Sequence, residues 1–423
     1  MLLRRGKDQQ LIAAVDIGAS KVSCFIARVT QENDFSAHAE IVGVGHNGVP
    51  SRSGGGHAAE QFEAGLRHAV DAAERMAGAR VHRVGVAVPG RALRTRRIAV
   101  DIEIADGVVT EEDVADTLTE GAAIAVAPED AVLHAMPTGF RLDGEEIDGD
   151  PVGLNGAVLS TEMIGVGARQ SVLDNLSSLI ERCGLAAEEF VAAPYAAAEA
   201  TLIEDEKELG VVLIDIGAAS TGYAVYDHGV LVDCGGVGAG GGHITKDIAQ
   251  IFGSPLVQAE RIKTLYGAAL IGPGDEHRFV DFPQLGDIGE TARASRADLC
   301  EVIIPRVEEI FELVAERLPD DRLRRSGLRR AVITGGGSLL VGAREIAEKT
   351  LSMKCRNGRP VSIAGAPEAA TAPGFSVCAG IIQHCMNVRS EDNLTLGAPS
   401  QSPHSLTRSA FLGGARAWLR AKF

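Results

Sequence analysis

A duplicated α/β fold is predicted: two core halves that open on the same strand–turn–strand hairpin, an α+β segment inserted into the first half, and a C-terminal amphipathic helix. The first observation is the stretch Leu11 to Arg28, LIAAVDIGASKVSCFIAR, which runs from a buried apolar strand through a tight turn at Gly18 to Lys21 into an alternating strand. The second is its echo, Val211 to Tyr226, VVLIDIGAASTGYAVY, where the Asp-Ile-Gly-Ala of Asp16 to Ala19 recurs at Asp215 to Ala218. One Asp-Ile-Gly is ordinary strand-to-turn punctuation, but two in matching context indicate that the chain is built twice. The third is Arg330 to Gly342, RAVITGGGSLLVG, a buried strand, a triple-glycine turn and a helix.

The hairpins suit a nucleotide held between two halves. Asp16 and Asp215, each ending a first strand, would face one another across a cleft and hold a hydrated Mg²⁺, an ion that keeps several waters and takes one or two carboxylates. Gly18, Ala19 and Gly217 let backbone N–H groups approach phosphate oxygens, and Lys21, Ser20 and Ser220 complete the cradle. At the third motif, Gly335, Gly336 and Gly337 would let an adenine or ribose lie against backbone. The motif is not a dinucleotide fingerprint, since GxGxxG is absent and no acidic residue follows at the required distance.

Composition sets the frame. The chain has 423 residues, 45% hydrophobic and 23% charged, which fits a soluble globular protein of two or more domains. Its net charge of −16 argues against nucleic-acid binding, which needs a basic surface. Seven cysteines form no CxxC pair, pointing to a reducing compartment and no structural zinc. The apolar run Leu11 to Val15 is too short for a signal sequence, no run is long enough to span a membrane, and a cytoplasmic protein is expected.

In chain order, Ser36 to Val44 reads as a third strand and Val49 to Gly56 as a loop. His57 to Gly78 reads as a helix with Phe62, Leu66, Ala69, Ala73 and Met76 on its core face. Val84 to Gly90 is a strand ending in a turn. From about Arg91 to Ser160 the texture becomes that of a small α+β insertion, with strand-like Arg97 to Ile104 and a helix capped by Thr110. Its acidic turns, Asp143-Gly-Glu-Glu and Asp148-Gly-Asp-Pro, lack metal-ligand spacing and read as solvated loops. Glu162 to Ala168 is a strand, and helices follow at Arg169 to Cys183 and Pro194 to Leu202.

The run Gly235 to Gly242 reads either as a hinge or as a loop admitting an anion at the N-terminus of a helix over His243 to Phe252. Ser254-Pro255 caps a helix over Leu256 to Tyr266, where Glu260 and Lys263 stand on one face, by themselves a surface ion pair. Gly272 to Gly289 is loop-rich. Helices are expected over Ala297 to Leu318, bent at Pro305, and over Pro373 to Met386.

The tail differs from all of this. Arg389 to Thr407 reads as a flexible linker, and from Asn393 onward there is no acidic residue but Arg408, Arg416, Arg420 and Lys422. On a helix, Phe411, Leu412, Ala415, Trp418, Leu419 and Phe423 share one arc flanked by Arg416 and Arg420. Gly413-Gly414 lowers helicity by about 1 kcal/mol per residue, so the helix would form on binding a surface. An apolar arc on a basic tail fits an interfacial helix drawn to anionic lipid.

Taken in order, the two hairpins, the insertion, Thr334-Gly-Gly-Gly-Ser338 and the WLRAKF ending resemble the bacterial cell-division FtsA family, of the actin/Hsp70/sugar-kinase superfamily. The family-level signal lies in Pro151-Val-Gly-Leu-Asn-Gly156, Glu181-Arg-Cys-Gly-Leu185, Thr245-Lys-Asp-Ile-Ala249 with Glu260 and Lys263, and the tail. The resemblance implies an actin-like fold: a first core from 11–85 and 165–192, the relocated family subdomain at 86–164, a second core from 193–240 and 300–388, and a subdomain at 241–299 that docks the C-terminal peptide of the tubulin-like protein FtsZ. A linker at 389–407 and a membrane-targeting helix at 408–423 complete the chain.

It further implies ATP and Mg²⁺ as ligands, with Asp16, Gly18, Ala19, Ser20, Lys21, Asp215, Gly217, Ser220, Gly241, Glu260, Lys263, Gly335, Gly336 and Gly337 at the nucleotide, and Asp16 and Asp215 reaching the metal through water. Arg296 and Glu301 would lie at the FtsZ surface. The family self-associates into filaments, anchors FtsZ at the cytoplasmic face of the cell membrane and works with later division proteins. The second turn departs from the superfamily pattern: Gly217-Ala-Ala-Ser-Thr-Gly222 replaces a Gly-Gly-Gly-Thr core and lacks the acidic residue after it, which keeps ATP binding and weakens hydrolysis. The alternatives are a phosphotransferase of the superfamily, for which no acceptor-side carboxylate is evident, and the related inner-membrane pilus-assembly protein, which gives no reason for the tail.

Overall fold

A computed structural model describes residues 10–33, 36–49, 58–286, 289–318, 328–361 and 364–394. The membrane-targeting helix expected at 408–423, including Phe411, Leu412, Arg416, Trp418, Leu419, Arg420 and Phe423, lies outside these residues.

Duplication is written into the sheets. In the first half β1 (Gln10–Ile17), β2 (Lys21–Asn33) and β3 (Ser36–Gly48) form an antiparallel meander, and β4 (Arg83–Val88) and β9 (Ala186–Ala192) extend it in parallel, in the order β3-β2-β1-β4-β9. In the second half β10 (Val211–Ile216), β11 (Thr221–Asp227) and β12 (Val230–Val237) form the meander, and β15 (Arg330–Thr334) and β16 (Lys354–Asn357) extend it, in the order β12-β11-β10-β15-β16. β1 and β10 thus occupy equivalent places beside a parallel neighbour, and both carry the near-continuous apolar run of a strand covered on two faces.

Helix α1 (Ala58–Ala77) covers the first sheet, burying Leu66, Ala69 and Ala73 as its periodicity predicts. Met76, expected on that face, is 52% exposed, and it is Ala77 of the same turn that lies against Gly43 of β3. On the inner faces of the two sheets lie α4 (Ala193–Thr201) and, after 3₁₀ turns, α10 (Ser376–Leu394), which pack back to back. Ile12, Ala14 and Phe25 of one sheet and Val211, Leu213 and Ala224 of the other join these helices in a single core. The halves therefore share their interior across a helix pair that meets at small residues, and a β-carbon on Gly380 would fall 1.6 Å from the Ala196 carbonyl oxygen. α10 runs to Leu394, six residues into the stretch read as linker.

The insertion is a four-stranded antiparallel sheet of β5 (Leu93–Glu103), β6 (Asp130–Leu142), β7 (Glu145–Ile147) and β8 (Val158–Arg169), ordered β5-β8-β6-β7 and covered by α2 (Glu111–Ile124). Thr110 caps α2 in a capping box with Asp113. Asp143 accepts the N–H groups of Ala157 and Val158, and Asp150 that of Val152, so these acids brace their own turns. β5 seals the outer edge of β12: Arg97 donates to the Val232 carbonyl at 2.7 and 3.1 Å, and Thr95 to that of Cys234. Edge carbonyls are satisfied there instead of offering a strand template. α3 (Gln170–Arg182) then leads into β9, and the short α5 (Glu204–Glu208) follows α4.

The second half carries its own small lobe: α6 (Gly241–Ile251), α7 (Leu256–Tyr266) and the hairpin β13 (Phe279–Pro283) with β14 (Thr291–Ser295). The segment read as loop-rich thus contains a strand. Pro255, not Ser254, is the N-cap of α7, and the Ser254 hydroxyl is buried without a hydrogen-bond partner. α8 (Arg296–Ala315), capped by Ser295 and containing Pro305, packs under this lobe, and α9 (Ala343–Leu351) packs beside α8.

Candidate functional site at the junction of the two halves

The two hairpin turns share one geometry. Gly18 N–H donates to the Lys21 carbonyl at 2.9 Å and Gly217 N–H to that of Ser220 at 3.0 Å, and a β-carbon on either glycine would lie 2.9 Å from the same oxygen. Each strand places its aspartate one residue before its end, Asp16 opposite Ser23 and Asp215 opposite Gly222. Both carboxylates are half-buried. Loss of water raises the pKa of each, and Lys21 opposes the rise; Asp215, which also feels the charge of Asp16, is pushed up to about 7. Ala19 and Ser20 are exposed in the first turn, and Ser220 is half-buried in the second.

Lys21 is not free in the cradle. Its Nζ donates to the Gly374 carbonyl at 2.6 Å and sits 3.7 Å above the Phe375 ring centroid. Burial lowers its pKa, while Asp16, Cys378 and Asp215 draw it back up.

Across from it the triple glycine divides its work. Gly335 has φ +82°, and a β-carbon there would fall 2.3 Å from the Asp215 Oδ1; one on Gly337 would fall 2.3 Å from the Ile216 Cγ2. Both are required by close approach to β10. Gly336 is exposed and has nothing within 4 Å of its β-carbon position, so it is the member that opens onto the cleft.

The run Gly235 to Gly242 corrects the anion reading. Gly235 and Gly236 lie inside β12, where a β-carbon on Gly236 would meet the Gly90 carbonyl carbon at 2.7 Å. Gly241 and Gly242 donate their N–H groups to the carbonyls of Gly217 (2.9 Å) and Ala218 (2.8 Å). Those amides clamp the second hairpin turn and are spent before an anion could use them.

Glu260 and Lys263 likewise exceed a surface pair. Lys263, its side chain 14% exposed, donates to the Gly241 carbonyl (2.9 Å), Thr245 Oγ1 (2.8 Å) and Glu260 Oε2 (2.7 Å), tying α7 to the first turn of α6. Thr245 also donates to Glu260, whose side chain stays 53% exposed. Sequence reasoning missed Gly374 and Phe375, which carry no motif and enter through a contact 353 residues from Lys21.

Of the two residues assigned to a partner surface, Arg296 is turned inward. Its Nε donates to the Tyr266 carbonyl at 2.9 Å and its guanidinium pairs with Asp275, whose side chain is 1% exposed. Glu301 is exposed on a cleft of about 630 Å³ between α6 and α8, lined by Asp247, Ile251, Phe252, Val302 and Pro305 among others.

The family model for the cell division protein FtsA matches residues 212–380, and that for the SHS2 domain inserted in FTSA matches residues 90–166. The Cell division protein FtsA of Agrobacterium fabrum is 35% identical over 392 residues, covering 89% of this chain and 87% of that protein. The chain belongs to the FtsA family. FtsA of Escherichia coli K12 is 29% identical over 430 residues, covering 99% of this chain and all of that protein. Among solved structures, the PilM–PilN type IV pilus biogenesis complex aligns with TM-score 0.59 at 18% identity, over 88% of this chain and 97% of that one. MreB5 of Spiroplasma citri bound to AMPPNP aligns with TM-score 0.53 at 12% identity, over 92% and 100%. At these identities the likeness concerns the fold, which is actin-like. Family membership displaces the phosphotransferase and pilus-protein alternatives.

Proposed function

We propose that this FtsA-family chain binds ATP with Mg²⁺ between its two halves, assembles with copies of itself, and tethers FtsZ polymers to the cytoplasmic face of the cell membrane, where it works with later division proteins. The observation that carries the nucleotide reading is the pair of matched turns bringing two water-starved carboxylates together beside the open Gly336. A structure of MreB5, which shares the fold, holds AMPPNP. The donor set fits a hydrated divalent cation: two carboxylates, with one lysine already engaged elsewhere, leave negative charge for a hard oxygen-seeking ion to offset. Such an ion would neutralise phosphate charge; Asp16 and Asp215 would hold its waters, Gly336 would accept the nucleoside face, and the exposed carboxylate of Glu260 would meet ribose hydroxyls.

Turnover is the weaker half. Thr221, which follows Ser220 in the second turn, is buried and donates to the Ala239 carbonyl at 2.8 Å, so it offers no base for water. Nucleotide occupancy, rather than rapid hydrolysis, would set the angle between the halves and hence assembly.

FtsZ docking is assigned to the α6–α8 cleft with Glu301 on its rim. Glu301→Lys should change the affinity for an FtsZ C-terminal peptide about threefold to tenfold by fluorescence anisotropy, the size expected of a rim charge; an unchanged affinity would move the docking site elsewhere. Among the described residues no helix is long and apolar enough to cross a membrane. Attachment is assigned to the tail on its residue pattern, in which Phe411, Leu412, Trp418, Leu419 and Phe423 share one arc flanked by Arg416 and Arg420. The deciding experiment is sedimentation with anionic liposomes, with and without ATP and FtsZ, comparing the intact chain with a truncation before Arg408. Membrane-independent behaviour of the intact chain would sink the tether. Trp418→Glu should release the protein to the supernatant while leaving ATP binding intact, because it places a charge on the apolar arc.

A further inference from the structure

The contact that holds Lys21 points away from a static cradle. Three side chains or backbone groups converge on the elbow Pro373–Ser376, which turns the chain into α10. From the first half, Lys21 bonds the Gly374 carbonyl and lies over the Phe375 ring. From the second half, Gly335 N–H donates to the Pro373 carbonyl at 3.3 Å, and the Thr334 and Ser376 hydroxyls share a hydrogen bond of 2.7 Å. A β-carbon on Gly374 would lie 3.0 Å from the Lys21 Nζ and 3.8 Å from Gly336, the open glycine of the triple-glycine turn. Both halves of the nucleotide site therefore grip one elbow. Phe375 is seated in turn against Phe25 and His46 of the first sheet, with ring centroids 5.7 and 5.6 Å away.

We infer that the Pro373–Ser376 elbow is a phosphate-released catch: nucleotide phosphates compete with Gly374 and Phe375 for the Lys21 ammonium, and drawing Lys21 away removes the first half's hold on the N-terminal end of α10. This rests on the nucleotide reading and adds its regulation. The ammonium group of Lys21 has a single carbonyl and a ring face as partners in the catch, with Asp16 and Asp215 nearby as charges. A polyphosphate arriving between the aspartates with its cation offers the same ammonium several anionic oxygens. The exchange is one of partners for a single cation, and no covalent step is involved. Its consequence travels along α10, which packs on α4 through Gly380 and leads to the residues preceding the C-terminal segment.

Hydrogen exchange read by mass spectrometry on the full chain tests this, with MgATP, MgADP and adenosine as ligands and equilibrium binding of a fluorescent ATP measured alongside. MgATP and MgADP should speed exchange across residues 374–380, and adenosine, which lacks phosphates, should leave it unchanged. Phe375→Leu removes the ring seat and should tighten MgATP binding roughly threefold to tenfold, as expected for losing a cation–π contact that binding must break, whereas Phe375→Tyr should keep the parental affinity. If MgATP binds while exchange at 374–380 stays unchanged or slows, the catch is wrong and the nucleotide site stands. If no nucleotide binds, both fall. Should Phe375→Leu fail to fold, the exchange measurement on the parental chain still decides.

Discussion

Replacing Gly380 with alanine should drive α4 and α10 apart and cost about 3 kcal/mol or more, at or beyond the upper end of overpacking penalties. The added β-carbon would sit 1.6 Å from the Ala196 carbonyl oxygen and 2.3 Å from its carbonyl carbon. Both are backbone atoms of a helix, so no rotamer change relieves the clash. α10 packs on the first sheet and α4 on the second, which makes this crossing a place where the halves touch through bare backbone. The loss should appear as a lower urea midpoint for the intact chain, together with a larger radius in solution scattering as the halves separate. Gly139→Ala is the control: nothing lies within 4 Å of its β-carbon position and its φ is not positive, so it should be nearly neutral. A Gly380→Ala protein with the parental midpoint would mean that the crossing is looser than its backbone contacts require.

Much of this architecture was legible because the local signals agree with the tertiary role. The Leu11 to Arg28 and Val211 to Tyr226 stretches alternate as hairpins should, and Gly18 and Gly217 stand where the turns close. β6 was not legible: Pro137 and Gly139 interrupt it, and register shifts fall at Val132/His134 and Pro137/Gly139, so its period never settles. β9 reads Ala-Ala-Glu-Glu-Phe-Val-Ala, whose alanines and glutamates favour a helix, and only its parallel pairing with β4 makes it a strand. Within Gly235 to Gly242, the glycines at Gly236, Gly240 and Gly242 look like freedom in one dimension and prove to be closeness in three, since backbone at Gly90, Gly217 and Ala218 leaves them no room for side chains, whereas Gly238 has nothing within 4 Å of its β-carbon position. At the candidate site, the aspartates were legible as strand-end residues. The hold of Gly374 on Lys21 was not, because nothing in the local sequence of either names the other.

Asp215→Asn should stabilise the nucleotide-free chain and weaken its grip on magnesium nucleotide, two effects of opposite sign from one carboxylate. Burial, and then the charge of Asp16, lift the folded-state pKa of Asp215 from 3.8 to about 7. The folded chain therefore holds this proton more tightly than the unfolded chain. The resulting stabilisation is complete below the unfolded value and is lost as pH rises through the folded one, so that above about 7 the cleft carries an ionised, poorly solvated carboxylate beside Asp16. Asparagine has the same shape without the charge. At pH 8 the variant should be more stable than its parent by about 1–2 kcal/mol, a fraction of the full shift because the site is half-open and relaxes. The difference should vanish near pH 4, where the parental carboxyl is protonated in the folded state. Magnesium ATP should bind about 100-fold more weakly to the variant at pH 8, since one of two anionic groups on the ion's water shell is gone. In the parent the magnesium-dependent part of the affinity should itself fall as pH drops through about 7, and in the variant that slope should flatten. Thermal unfolding at the two pH values reads the first effect, and equilibrium binding with magnesium against binding in a chelator reads the second. Stabilisation without loss of magnesium-dependent affinity would leave Asp215 a buried charge of the hinge and take it out of the metal site.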